Sequence, residues 1–276
     1  MTNLPLLDEH LRSLRLPAML ANYRRVADSD ADKMGYLHQL AALEVDKRHE
    51  NGVRARIAAA HFPVVKTMES FDFSLQPQLP KGKLLDLLDG RFVAEKRNPI
   101  LVGPTGVGKT HALTAIGLAA CAAGYRVLFT TAAELCMTLI AAKRDERLKQ
   151  RLLSYERYHL LLIDELGYIP FEREATDLLF QVISRRYERA SIGITTNLAF
   201  MDWTKIFSEP MAASAVVDRL VHYGIIFEFS GESHRLRARQ TAGRSKKGGV
   251  TERRGHSNRA GGGQGNPAVA RTVGLW

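Results

Sequence analysis

Residues Gly103 to Thr110 read Gly-Pro-Thr-Gly-Val-Gly-Lys-Thr, and the aliphatic run Ile100-Leu101-Val102 stands directly before them. The spacing is G-x-x-x-x-G-K-T, set between an apolar strand and a helical stretch that begins at His111. Each position answers a chemical demand. Gly103, Gly106 and Gly108 let consecutive backbone N–H groups turn inward around phosphate oxygens, where a bulkier chain would close the nest. Thr105 and Val107 complete the loop. The positive end of the following helix faces the same anion. Lys109 brings a point charge for β- and γ-phosphates, and the Thr110 hydroxyl is a ligand for Mg2+. The stretch predicts a nucleoside-triphosphate site on a strand–loop–helix unit.

Working outward, the run His159-Leu-Leu-Leu-Ile163 ends in Asp164-Glu165. At the carboxyl edge of a parallel sheet such acids face the phosphate loop. Asp164 is expected in the Mg2+ shell, and Glu165 as the general base that polarises the attacking water. The next strand, Ser191–Thr196, is followed by Asn197. Its amide is placed either to hydrogen-bond that water or the γ-phosphate, or to cap a helix. Arg219 lies in a short helical stretch before the strand Ile225–Phe229. It has two readings: a finger reaching the γ-phosphate of a neighbouring subunit, or an ion pair with Asp218 or another acid.

The pattern from Asn98 alternates strand and helix: Tyr125–Thr131 extended, Ala132–Leu153 helical, Ala175–Arg189 helical. That alternation predicts a parallel sheet covered on both faces. Residues 1–66 read as a helical partner- or DNA-binding domain, 67–240 as the nucleotide domain, and 241–276 as a disordered basic tail. In the connector, Phe71 and Phe73 are placed either near a purine or in the core. The net charge is +10, yet residues 236–276 hold nine Lys and Arg against one acid. Nucleic-acid affinity therefore belongs to the tail or to local patches, not to the whole surface. One such patch is Lys143, Arg144, Arg147, Lys149 and Arg151, readable as phosphate contacts or as a solvated helix face. No apolar run is long enough for a membrane span, and the N-terminus lacks a secretory pattern. Cys121 and Cys136 sit in apolar surroundings and read as buried thiols. A cytoplasmic location is expected.

The set Gly103–Thr110, Leu161-Leu-Ile-Asp-Glu-Leu-Gly-Tyr168, Thr195-Thr-Asn197 and Asp218-Arg-Leu220 resembles the AAA+ ATPases of the IstB type. These are helper proteins of insertion-sequence transposons, related to the helicase loader DnaC and the initiator DnaA. The resemblance runs over residues 1 to about 240, and Gly231-Glu-Ser-His-Arg235 adds to it. It implies an α/β P-loop NTPase fold, a three-layer parallel sheet with an N-terminal helical domain. It further implies ATP with Mg2+, an ATP hydrolase stimulated by DNA, a homo-oligomer on double-stranded DNA, and a transposase as partner. A replicative helicase is the alternative partner. Carried over, the phosphate-loop residues are Gly103, Thr105, Gly106, Val107, Gly108, Lys109 and Thr110, with Asp164 and Glu165 as the carboxylates. Asn197 is the first sensor and Arg219 the finger, with Arg235 as candidate second sensor.

Overall fold

The computed structural model describes residues 4–28, 33–168, 172–205, 207 and 210–231. The basic tail and Arg235 lie outside the described residues. Five strands form one parallel sheet: β1 (Asn98–Val102), β2 (Val127–Thr131), β3 (Leu160–Leu166), β4 (Ser191–Thr196) and β5 (Gly224–Glu228). Their order is β2-β3-β4-β1-β5. Alternate residues along each strand serve opposite faces. Leu101, Leu160, Leu162 and Phe227 enter one apolar core, while Ile100, Leu161, Ile163 and Ile194 enter the other. Burial on both sides explains why the central strands read as unbroken aliphatic runs.

Helix α6 (Lys109–Ala122) packs on the first face together with the connector helices α4 (Lys81–Leu85) and α5 (Arg91–Ala94). Phe71 belongs to this core. It is 6% exposed, with its ring 4.8 Å from that of Phe73 and 5.3 Å from that of His111. The second face is covered by α7 (Ala132–Arg144), α8 (Leu148–Glu156), α9 (Arg173–Arg186) and α10 (Pro210–His222). The result is three layers, as the alternating pattern demands.

The helix expected over Ala132–Leu153 divides into α7 and α8. Glu146 takes φ +58, the Glu146 N–H donates to the Lys143 carbonyl and the Arg147 N–H to the Ala142 carbonyl. This is a Schellman stop made with glutamate where glycine is usual. The same motif ends α6 with the expected glycine, Gly124 at φ +97.

Before the sheet lie α1 (Leu4–Ser13), α2 (Pro17–Ala27) and α3 (Lys33–Ala59). Leu11, Tyr23, Val26 and Leu40 form a small core of their own. Glu44 of α3 is buried, and its carboxylate accepts the Ala18 and Met19 N–H groups at 3.0 and 3.3 Å. It thereby caps α2 from another helix, beside the favourable end of that helix's dipole. Among the described residues no helix is long and apolar enough to cross a membrane.

Candidate functional site

The carboxyl ends of β1, β3 and β4 share one edge of the sheet, where ligands of open α/β folds bind. A cleft of about 650 Å³ opens there. Gly106, Gly108, Lys109, Thr110, Asp164, Glu165 and Asn197 all line it. The sequence thus placed its residues far apart in the chain, and the fold brings them to one hollow. Gly106 and Gly108 take φ +84 and +102, the left-handed conformations that the loop requires and that glycine adopts without strain.

Lys109 opens α6 and is only 8% exposed. Its Nζ donates to the Gly103 and Pro104 carbonyls, each at 2.6 Å. Burial pulls its pKa below the ordinary lysine value, and the charges of Asp164 and Glu165 oppose that pull. The ammonium is held against the loop that it serves. Next to it, Thr110 Oγ1 donates to both Asp164 oxygens, at 3.1 and 3.0 Å. A hydroxyl and a carboxylate, both hard oxygen ligands, thus share one point in the cleft. That pairing suits Mg2+, which takes few protein ligands and completes its shell with water and phosphate. Among the described residues no group of three or more His, Cys, Asp and Glu side chains forms a closed metal cage.

The acids sit inside β3, not beyond its end. The ladder pairs Ile163 with Ile194 and then Leu166 with Thr196, so Asp164 and Glu165 together face Thr195. This is a two-against-one bulge. Glu165 takes φ +60, and it is exposed to the cleft while Asp164 stays buried. The Glu165 N–H donates to Thr195 Oγ1 at 2.9 Å, and Thr195 Oγ1 in turn donates to Asp164.

Asn197 lies just past β4, and its buried Oδ1 has no protein partner. An unpaired amide oxygen on the cleft wall fits a role toward a ligand or water. Glu134 also borders the cleft, but it is committed to a capping box with Thr131 at the start of α7. Arg219 does not line the cleft of its own chain. Its guanidinium lies 5.0 Å from the Phe180 ring centre and donates to the Ala215 carbonyl. The outer wall is made by His61, Pro63, Val64 and Lys66, not by Phe71 and Phe73.

Two supporting residues escaped the sequence reading. Gln76 is buried, and its Nε2 donates to the Val107 carbonyl at 3.2 Å and to the Ser230 carbonyl at 2.7 Å. Its Oε1 accepts the Ser230 N–H, so one amide ties the phosphate loop to the segment after β5. Tyr168 Oη lies 2.6 Å from Thr105 Oγ1 and links the segment after β3 to the same loop. Tyr168 stands in the quoted Asp-Glu-Leu-Gly-Tyr stretch, which was a usable signal; nothing local distinguishes Gln76. The basic stretch is exposed at the α7–α8 corner, where Lys143 pairs with Glu174 at 2.7 Å.

Residues 9–242 match the family model described as IstB-like ATP binding protein. The ATP-binding protein of insertion sequence IS21 from Pseudomonas aeruginosa is 40% identical over 85% of this chain and 87% of its own. Its counterpart from IS232 of Bacillus thuringiensis subsp. berliner is 36% identical, over 84% of this chain and 94% of its own. Among solved structures, AMPPCP-bound DnaA from Aquifex aeolicus superposes with a TM-score of 0.53 at 18% identity, covering 70% of this chain and 58% of that one. DnaI superposes with a TM-score of 0.51 at 21% identity, covering 60% and 91%. These two show the shared AAA+ fold. The chain belongs to the IstB-like ATP-binding proteins associated with insertion sequences, P-loop ATPases with the AAA+ fold.

Proposed function

We propose that this chain is an ATP hydrolase that assembles on duplex DNA in an ATP-dependent manner and presents that DNA to a transposase. The likeness to insertion-sequence ATP-binding proteins supports the transposase part of the reading. The observation that carries the ATPase part is the meeting of Lys109, Thr110, Asp164 and Glu165 in one cleft. Each has work suited to its place. The loop amides and Lys109 hold the β- and γ-phosphates. Thr110 and Asp164 hold Mg2+, which when bound neutralises charge that develops on the phosphate oxygens. Glu165, exposed to the cleft, orients a water and takes its proton as that water attacks the γ-phosphorus. Asn197 fixes the water or the phosphate it attacks.

Arg219 has no access to the phosphates of its own chain, so its role requires a second copy. In an assembled ring it would meet the neighbour's γ-phosphate and make turnover depend on assembly. The exposed basic corner, Arg144, Arg147, Lys149 and Arg151, supplies backbone contacts that track DNA shape over sequence. Residues 1–66 are the proposed partner-binding domain. The cytoplasm is the proposed location, as both DNA and ATP require.

The test is electron microscopy of the protein with duplex DNA and ATP, paired with turnover assays. Rings or spirals on DNA are expected, together with a loss of about a hundredfold or more in turnover for Glu165→Gln. Arg219→Ala should lose turnover alone yet recover part of it when mixed with Glu165→Gln, whose intact Arg219 then faces a wild-type Glu165. Unchanged turnover in Glu165→Gln, or no assembly with ATP, would overturn the reading. A pulldown that retains a replicative helicase in place of the transposase would reassign the partner.

A further inference from the structure

We propose that Thr195 is a positioning residue that sets the geometry of both catalytic-site acids through one hydroxyl. The proposal rests on the ATPase reading of Asp164 and Glu165 and adds a residue with no assigned role. Thr195 is 1% exposed and lies on β4 opposite the β3 bulge. Its Oγ1 has two partners. It donates to Asp164 Oδ1 and accepts the Glu165 N–H at 2.9 Å.

The bulge explains why a hydroxyl is needed there. An extra residue in one strand leaves a backbone group without its ladder partner. The Glu165 N–H is such a group, and the side chain of Thr195 takes the place of the missing carbonyl. That bond holds Glu165 at φ +60, a conformation that costs a non-glycine residue on the order of 1–3 kcal/mol and persists only when its surroundings fix it. The twist turns the Glu165 side chain to the cleft, while Asp164 stays in the sheet.

The second bond matters for the other acid. Thr110 Oγ1 donates to Asp164 from the phosphate-loop side and keeps a lone pair free for Mg2+. Thr195 Oγ1 donates from the sheet side, so Asp164 is anchored from both sides. One hydroxyl therefore serves as donor to the metal-side carboxylate and acceptor for the base-side backbone. A valine has the same shape and can do neither; a serine can do both.

The experiment uses the full-length chain with Thr195→Val and Thr195→Ser. Amide exchange is followed without nucleotide over the peptide containing Glu165, and steady-state ATP turnover is measured separately. The valine variant is expected to exchange the Glu165 amide about tenfold faster. Its kcat should fall about tenfold or more while KM for ATP stays within about threefold. The serine variant should restore wild-type exchange and kcat. Should Thr195→Val not fold, Thr195→Ala carries the same expectations. Wild-type exchange and kcat in the hydroxyl-free variants would overturn the proposal, as would failure of serine to rescue. A wild-type chain with no turnover would sink the ATPase reading instead, and the exchange measurement would still judge the role of Thr195.

Discussion

Replacing Gly103 by alanine puts a methyl group against a backbone carbonyl. A Cβ there lies 2.2 Å from the Phe229 oxygen and 2.9 Å from its carbon. Attractive contact between such atoms is reached only near 3.5 Å, so roughly 1 Å of movement must be found. The obstructing atoms are backbone and cannot rotate aside. Either β1 or the end of β5 must shift, and both are tied. The Phe229 N–H donates to the Val102 carbonyl at 2.7 Å, and the Gly103 N–H to the Thr196 carbonyl at 3.1 Å. Breaking one of these strands a buried backbone group, at about 1–3 kcal/mol. The φ of +148 at Gly103 adds about 1–3 kcal/mol for any side chain. The sum is about 4 kcal/mol. In a folded body of this size each kcal/mol moves Tm by about 2–4 °C, so the variant should melt about 8–16 °C lower.

Two other glycines calibrate the estimate. At Gly124 a Cβ meets nothing within 4 Å, but φ is +97. Only the backbone conformation is penalised, and Gly124→Ala should cost about 1 kcal/mol, or about 2–4 °C. At Gly82, inside α4, a Cβ also meets nothing within 4 Å and no positive φ applies. Alanine is the better helix former by up to about 1 kcal/mol, so Gly82→Ala should hold or raise Tm. Differential scanning calorimetry reads all three. Titration calorimetry below the transition reads the second consequence, weaker ATP binding in Gly103→Ala alone, because the displaced residue is the first of the phosphate loop. A Gly103→Ala variant melting within about 2 °C of wild type would refute the close-approach argument. So would a Gly124→Ala variant that melts as low as Gly103→Ala.

Arg186→Met should lower Tm by about 4–8 °C, since Arg186 is buried and donates to the Tyr155, Tyr158 and Ser191 carbonyls at 2.7, 3.0 and 2.8 Å. Burial holds its pKa down to about 10, so it stays protonated, folded or unfolded, well below that value. Burial, Arg126 and the Arg186 charge together hold the His159 pKa below its ordinary value. The Tm difference should therefore be flat only above the histidine range, at about pH 8, and should shrink as the pH falls through it; a slope at about pH 8 in pH-resolved calorimetry would refute the assignment. Burial also pushes the Cys121 and Cys136 thiols up, to about 11 and about 12. Native protein should resist iodoacetamide at mildly alkaline pH and react at both positions in denaturant, as mass spectrometry would show; rapid native labelling would contradict their burial.

What was legible in the chain follows from how far each signal reaches. The phosphate loop is a local device: eight consecutive residues carry the turn, the charge and the hydroxyl, so spacing alone exposes it. Asp164-Glu165 were legible for the same reason, as a break in an aliphatic run. Their geometry was not legible, because the bulge is a property of two strands. Only the pairing of Ile194 and Thr196 with Ile163 and Leu166 shows that Thr195 faces both acids. Nor was the break between α7 and α8, since Glu146 offers no glycine to betray a left-handed stop. Gln76 is the extreme case. Its partners Val107 and Ser230 lie 31 and 154 residues away, and no local pattern distinguishes it from a surface glutamine. A phosphate loop needs such an anchor all the same. Its own residues must leave their amides free for an anion, so the loop cannot stabilise itself with them. Its rigidity has to come from carbonyls held elsewhere: the Val107 carbonyl by Gln76, and those of Gly103 and Pro104 by Lys109. The motif specifies which atoms meet the phosphate, and two side chains, Lys109 within it and Gln76 far outside it, specify that they stay in place.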